Sequence, residues 1–138
     1  MSVERGARRA VIPAASQAMY DRYHFAPATR VGDLIWVSGQ VGMDGEGRPG
    51  ADMEAQARLA FEALRAVLSE AGARLGDVVE LTTFHTDLRG DMRAFSAVKD
   101  EFFPASYPAW TAVGVTQLAR PEFLVEVRAV AVAGSAQT

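Results

Sequence analysis

The chain has 138 residues, of which 49% are hydrophobic and 22% charged; this is the composition of one globular domain and excludes global disorder. Fourteen basic and seventeen acidic side chains give a net charge of −3, which disfavours a nucleic-acid partner because no strong positive field is available. Cysteine is absent, which excludes disulfides, thiol catalysis and cysteine-based metal centres. Within a single domain over 1–138, residues 1–22 mix charges with small side chains and predict an N-terminal arm or edge strand.

The first half of the chain predicts a strand, a loop and a helix. Residues 34–38 form a short apolar run rich in β-formers, which predicts a buried strand. Residues 42–50 contain four glycines and a proline and predict a loop. A helix is then predicted from its N-cap Asp52 to Gly72, because apolar residues recur between them at helical spacing.

The second half predicts a strand, a helix and two further strands. Residues 77–87 are rich in β-branched and aromatic side chains, which favour a strand. Asp91 is suited to cap a second helix, and Pro104 ends it. Segments 111–118 and 123–132 predict two consecutive strands joined by a turn.

This order of elements predicts an α+β fold, with a mixed β-sheet that carries both helices on one face. The strands are apolar on both sides, and a domain of this size has no further element to cover the second face. Self-association is the simplest way to cover it. No apolar run is long enough to cross a membrane and no secretory signal follows the charged N-terminus, so we expect a cytoplasmic protein with no membrane partner.

Three patterns resemble functional motifs but have simpler interpretations. Residues 45–50 match a dinucleotide-binding G-x-G-x-x-G, but Pro49 lacks an N–H and nearby acids would repel a pyrophosphate, which favours a glycine turn. His85 and Asp87 share a strand face without a carboxylate cluster nearby, so a structural histidine is favoured, and no metal or other cofactor is expected. Lys99, the single lysine, is followed by two acids in a helical pattern and predicts a solvated side chain.

Two polar positions on the predicted strands are candidates for a site. Ser38 lacks the G-x-S-x-G elbow of a serine nucleophile, so we expect it to hydrogen-bond while Gly39 allows a close approach of the backbone. Glu126 lies within the most apolar strand, on the same face as Arg128. Glu126 is either paired with Arg128 or a site residue with a raised pKa, and the strand alone favours the pair.

Several stretches together resemble the reactive intermediate deaminase family, also called Rid or YjgF. They run in collinear order across residues 25–132 and include Val-Ser-Gly-Gln at 37–40, Phe-Phe-Pro at 102–104, Tyr-Pro-Ala at 107–109 and Val-Glu-Val-Arg-Ala at 125–129. The segments 84–87 and 107–116 resemble the YjgH-like branch more closely than the true deaminases. The resemblance implies a chorismate-mutase-like subunit and a homotrimer with pockets between neighbouring subunits.

Deaminases of this family hydrolyse enamines and imines to a 2-oxo acid and ammonia, and an arginine after Pro-Ala holds the substrate carboxylate. Here Trp110 stands at that position, and Phe25 stands where a pocket tyrosine is usual. The resemblance implies Glu126 as the catalytic residue and the following substrate-binding residues: Phe25, Ser38, Gly39, Trp110, Thr111 and Ala112. Because an indole has one N–H and no charge, we expect feeble hydrolysis of 2-imino acids, part of which Trp110→Arg should restore.

We therefore expect a homotrimer that binds, at its subunit interfaces, a small molecule flatter or less acidic than a 2-imino acid. Glu126 would position or activate water in an enamine or imine hydrolysis of altered or weak activity. A non-catalytic ligand-binding or interaction protein on the same scaffold is the chief alternative. The family's older endoribonuclease and translation-inhibitor labels suggest a third function, which the net charge of −3 disfavours.

Overall fold

A computed structural model describes residues 6–136 of the chain. The predicted arm or edge strand over 1–22 therefore lies partly outside the described residues. Its described part contains the edge strand β1 (Arg9–Val11), a 3₁₀ turn (Ala14–Ser16) and a short helix, α1 (Gln17–Tyr23). The sequence did not predict α1, which is seven residues long and has no buried residue.

The next two strands form a tight antiparallel hairpin. They are β2 (Ala28–Val31) and β3 (Leu34–Val41), and β3 extends the predicted strand over 34–38 by three residues. The two-residue turn between them requires a left-handed backbone at Gly32, whose φ is 58°. Glycine adopts this conformation without the steric cost that a side chain would add.

The long helix α2 (Met53–Glu70) begins and ends as its sequence predicts. The Asp52 carboxylate accepts a hydrogen bond from the Ala55 N–H at 2.9 Å and so caps the first turn. Gly72, with a φ of 85°, follows the last turn. The face of α2 that meets the rest of the domain contributes fully buried side chains, including Ala57, Ala60, Phe61, Leu64 and Leu68.

The remaining elements are β4 (Val78–His85), α3 (Leu88–Phe102), β5 (Ala109–Gly114) and β6 (Val125–Val132). The prediction that Asp91 caps α3 was wrong. The N-cap is Asp87, whose carboxylate accepts from the Gly90 N–H at 3.3 Å, and Asp91 lies in the first turn. An aspartate suits either position, because both lie beside free N–H groups and the positive end of the helix dipole.

The six strands form one mixed sheet in the order β1-β2-β3-β6-β4-β5. β5 pairs parallel to β4 after the α3 crossover, and the other neighbouring strands pair antiparallel. The last two strands are consecutive in the chain but are not paired with each other, because β6 inserts between β3 and β4. This central position suits the composition of β6, whose buried side chains are Val125, Val127, Ala129 and Ala131.

Both long helices contribute to one core on the same face of the sheet. The Phe61 ring of α2 contacts Phe95 and Phe102 of α3, with centroids 5.5 and 5.3 Å apart. On the opposite face of the sheet, Leu34 and Trp36 are 43% and 39% exposed. The α+β prediction, with a mixed sheet and two long helices on one face, is confirmed. No helix in the described part of the chain has the length and apolarity needed to cross a membrane.

Candidate functional site

A β-bulge in β3 shapes the candidate site. Between Val37 and Gln40, β3 has one residue more than the strand β6 with which it pairs. The bulge contains Ser38 and Gly39, two of the expected substrate-binding residues. Bulges bend a strand and redirect its side chains, and they are common beside active sites.

Ser38 holds the segment before β2 against the bulge. Its hydroxyl donates a hydrogen bond to the Ala26 carbonyl at 2.7 Å, and its N–H donates to the Pro27 carbonyl at 2.9 Å. The adjacent Phe25 is 44% exposed and lines, together with Gly39, a cavity of about 580 Å³. The two hydrogen bonds therefore keep an exposed aromatic ring beside the bulge.

Gly39 makes room for the carboxyl group of Glu126. A Cβ atom on residue 39 would overlap the Cγ, Cδ and Oε2 atoms of Glu126, so any side chain there would displace the acid. Val41 lies opposite Glu126 in the β3–β6 ladder and defines its position along the strand. Within one chain, the group that comes close to the Gly39 backbone is therefore the Glu126 side chain.

Glu126 is half-buried, and this burial raises the pKa of its carboxyl group above the ordinary value of 4.5. Arg128 lies on the same strand face and is exposed. No ion pair joins the two within residues 6–136, so the pairing that the strand alone favoured is absent there. Desolvation without a cationic partner allows a carboxyl group to exchange protons at a higher pH than a solvated one.

Trp110 lies on the helix-covered side of the sheet. It pairs with the buried Leu81 in the β4–β5 ladder, and its indole N–H donates to Thr83 Oγ1 at 2.9 Å. Its ring centroid lies 6.0 Å from that of Phe95 in α3. Glu126 is on the opposite face, so a single chain does not bring Trp110 and Glu126 together.

Thr111 and Ala112 point to opposite faces of β5, as consecutive strand residues do. Thr111 shares the face of Glu126, whereas Ala112 pairs with the buried Thr83 on the helix side. The structure therefore places Thr111 on the same side as Glu126, separated from it by β4. Ser38 and Gly39 lie next to Glu126 on the other neighbouring strand.

A buried polar chain beneath α3 was not predicted from the sequence. Thr83 Oγ1 accepts a hydrogen bond from the Trp110 indole and shares a second one with His85 Nε2, 2.7 Å away. The other ring nitrogen, His85 Nδ1, is buried and has no hydrogen-bond partner in the described part of the chain. Burial lowers the pKa of His85 below its ordinary value of 6.5. Alternation along β4 puts Thr83 and His85 on one face, but no local pattern shows that α3 covers this face.

The prediction of a solvated Lys99 was wrong. Its side chain is only 8% exposed, and its ammonium group lies 4.6 Å from the centroid of the Trp110 ring. The negative face of an indole attracts a cation, which compensates for part of the lost hydration. Asp87 caps α3 rather than completing a site with His85, and the described residues contain no group of three potential metal ligands.

Comparison with known proteins identifies the family. Residues 15–133 match the family model described as Endoribonuclease L-PSP, which is the Rid/YjgF family. The chain belongs to this family. It is 45% identical over 121 residues to the RutC family protein YjgH of Escherichia coli, an alignment that covers 87% of this chain and 92% of that protein.

Two further comparisons extend this result for the Rid/YjgF chain. It is 34% identical over 106 residues to the 2-iminobutanoate/2-iminopropanoate deaminase of Salmonella typhimurium, covering 74% of this chain and 81% of that enzyme. The solved structure of protein YjgH superposes with a TM-score of 0.82 at 43% identity, covering 91% of this chain and 96% of that one. The resemblance to the Rid/YjgF family and its fold is therefore confirmed, and its relatives include a deaminase.

Proposed function

We propose that this Rid/YjgF chain forms a homotrimer that binds a small molecule between subunits and hydrolyses its C=N bond. The observation that supports this most directly is the Glu126 carboxyl group, half-buried over Gly39 and free of ion pairs within residues 6–136. A carboxyl group in this state is suited to exchange protons with water. The Salmonella relative, named as a deaminase of 2-imino acids, makes an imine the first substrate class to test.

Glu126 would act twice in this reaction. As a carboxylate it takes a proton from water while the water oxygen bonds to the imine carbon, and the electrons of the C=N π bond move to nitrogen, to which Glu126 then passes the proton. In the resulting carbinolamine Glu126 takes the hydroxyl proton and delivers it to nitrogen, so that the C–N bond breaks and a carbonyl and ammonia form. One imine and one water thus give one carbonyl compound and one ammonia, and the carboxylate is regenerated.

The neighbouring residues would bind the substrate around this carboxyl group. Phe25 offers an exposed ring beside the bulge, Ser38 orders that segment, and Thr111 presents a hydroxyl on the side of Glu126. Trp110 and Ala112 lie on the helix side and would support β5 rather than touch the substrate. Because Phe25 has no charge and residue 110 faces away from Glu126, neither offers a cation to a carboxylate beside the imine carbon, and we expect a preference for a flatter or less acidic molecule than a 2-imino acid.

The test is hydrolysis of imines that are generated in the assay. An amino-acid oxidase supplies 2-imino acids and an amine oxidase supplies an imine without a carboxylate, and carbonyl formation is followed with and without the protein. We expect the protein to accelerate hydrolysis of the second imine more than that of the first. Glu126→Gln should abolish the acceleration, whereas Glu122→Gln, which changes an exposed surface acid, should retain it.

Two outcomes would contradict the proposed reaction. Binding of imine analogues without any accelerated hydrolysis would support the non-catalytic ligand-binding function on the same scaffold. Equal acceleration by Glu126→Gln and the unmodified chain would show that another group carries the chemistry.

A further inference from the structure

A second cavity, of about 510 Å³, lies between α1 and the face of β1 and β2 that the long helices do not cover. Ala10 and Thr29 pair across these two strands and both line it. Arg8 also lines the cavity, because residues two apart along an extended chain share a face. Arg9, between Arg8 and Ala10, lies on the opposite face, opposite Arg30 of β2.

His24 lines the same cavity through an uncommon backbone conformation. It ends α1 with a φ of 62°, and its N–H donates to the Tyr20 carbonyl at 3.0 Å. Glycine is the usual residue at this position because it pays no steric cost there. A residue kept in a strained conformation is a reason to look for function, and here it brings an imidazole to the cavity that Arg8 lines.

The charges of the cavity restrict what it can bind. Arg8 and Asp21 both line it, and no ion pair joins them in the part of the chain that the structure describes. Asp21 instead accepts a hydrogen bond from Gln17 on the same helix, at 3.0 Å. The Arg8 guanidinium is thus available to a carboxylate, with which it can form two parallel hydrogen bonds. Asp21 repels a second negative charge, so a monoanion fits better than a dianion.

The Phe25 ring connects this cavity to the bulge. It lines both the Arg8 cavity and the cavity that contains Gly39, and Gly39 lies under the Glu126 carboxyl group. Because the Phe25 ring lines the Arg8 cavity, a ligand held at Arg8 can pack a flat apolar group against this ring. Such a molecule would find at Arg8 the cation that Trp110 does not supply.

We infer that the Arg8 cavity is a carboxylate subsite for a monoanionic ligand whose acid group is separated from its reacting carbon by a flat apolar group. That the ligand has a reacting carbon rests on the proposed function, whereas the carboxylate subsite does not depend on it. In chemical terms the ligand is an aryl or arylalkyl acid with its C=N group at the other end, rather than a 2-imino acid.

Binding of two molecules of matched shape, phenylacetate and the neutral phenylacetamide, tests the subsite in the full chain by NMR titration. We expect phenylacetate to bind with a Kd at least about tenfold lower than that of phenylacetamide, since hydrogen bonds to charged groups exceed neutral ones by this margin. Arg8→Ala should remove the preference. Arg9→Ala, the control on the opposite face, should keep it, and inorganic phosphate as a dianion should bind more weakly than phenylacetate.

Equal affinity for phenylacetate and phenylacetamide, a preference that survives Arg8→Ala, or tighter binding of phosphate would overturn the inference. The Glu126→Gln variant separates failure of this inference from failure of the proposed hydrolysis. It should lose imine turnover but keep the preference for phenylacetate. Absence of turnover in a chain that still prefers phenylacetate would contradict the hydrolysis and leave the subsite standing.

Discussion

The carboxyl group of Glu126 occupies the space that a Cβ atom on Gly39 would need. The two residues lie on neighbouring strands, and the bulge between Val37 and Gln40 is what brings the glycine under the acid. Glycine is therefore required at this position because the side chain of the proposed catalytic residue packs against its backbone. The acid cannot remain in place if residue 39 carries a side chain.

Gly39→Ala should accordingly displace the Glu126 carboxyl group and abolish imine hydrolysis. The overlap should also destabilise the fold by about 1–3 kcal/mol, the usual cost of overpacking. Gly45→Ala is the matched control, because a Cβ atom there would meet no atom within 4 Å. Urea unfolding and the hydrolysis assay measure the two effects, and full activity in Gly39→Ala would show that the position of Glu126 does not matter.

The Glu126 carboxyl group should titrate above its ordinary pKa of 4.5, because burial disfavours its charged form. The folded chain then holds this proton more tightly than the unfolded chain, so stability falls as the pH rises through the folded pKa. Glu126→Gln should therefore raise Tm at about pH 7 and make little difference at about pH 4. NMR titration of the carboxyl carbon gives the pKa directly, and a value below 4.5 would rule out the proposed proton transfer.

His85 should make the fold sensitive to acid. Its buried ring contacts Thr83 and stands perpendicular to the Phe95 ring, and burial lowers its pKa below 6.5. Because the unfolded chain binds this proton more readily, the stabilisation is present above pH 6.5 and is lost as the pH falls through the folded pKa. Tm measured against pH should fall less steeply on acidification in His85→Asn than in the unmodified chain. An unchanged slope in His85→Asn would contradict the assignment.

The position of Trp110 reverses the expectation that Trp110→Arg restores hydrolysis of 2-imino acids. An arginine there would lie beneath α3, close to the Lys99 ammonium group that now contacts the indole ring. We expect Trp110→Arg to lose about 2 kcal/mol of stability through this unpaired, partly buried charge, with no gain in activity. Trp110→Phe, which loses the hydrogen bond to Thr83 but keeps an aromatic ring, should lose about 1 kcal/mol. Recovered turnover in Trp110→Arg would show that residue 110 reaches the substrate.

Local signals in the sequence predicted the long helices and the main strands. Asp52 and Gly72 bound α2 because capping and helix termination depend on a few neighbouring residues. The position of β6 between β3 and β4 could not be predicted in this way, since no local pattern shows which distant strands pair. The burial of Lys99 has the same origin, because it depends on β5 lying beneath α3.

The candidate site was predictable to a similar extent. Gly39 and Glu126 stand out in the sequence as a glycine after a buried strand and an acid within an apolar one. Their contact depends on the register of β3 against β6 and on the bulge, neither of which a single sequence specifies. Arg8 and His24 were missed because the cavity that they line arises from the packing of α1 beside an edge hairpin.

The part of the uncovered sheet face that belongs to β3 and β6 should form the contact between subunits of the proposed trimer. Trp36 and Leu34 are exposed there on β3, and their partners across the β3–β6 ladder, Val130 and Val132, are also apolar. Light scattering should give a mass of three chains at micromolar concentration. Trp36→Glu should reduce that mass, because a carboxylate would lose its hydration in the interface without gaining a partner. Tyr23→Glu, which adds the same charge to an exposed aromatic position on α1, should leave the trimer intact, and a trimer that persists in Trp36→Glu would exclude this face as the interface.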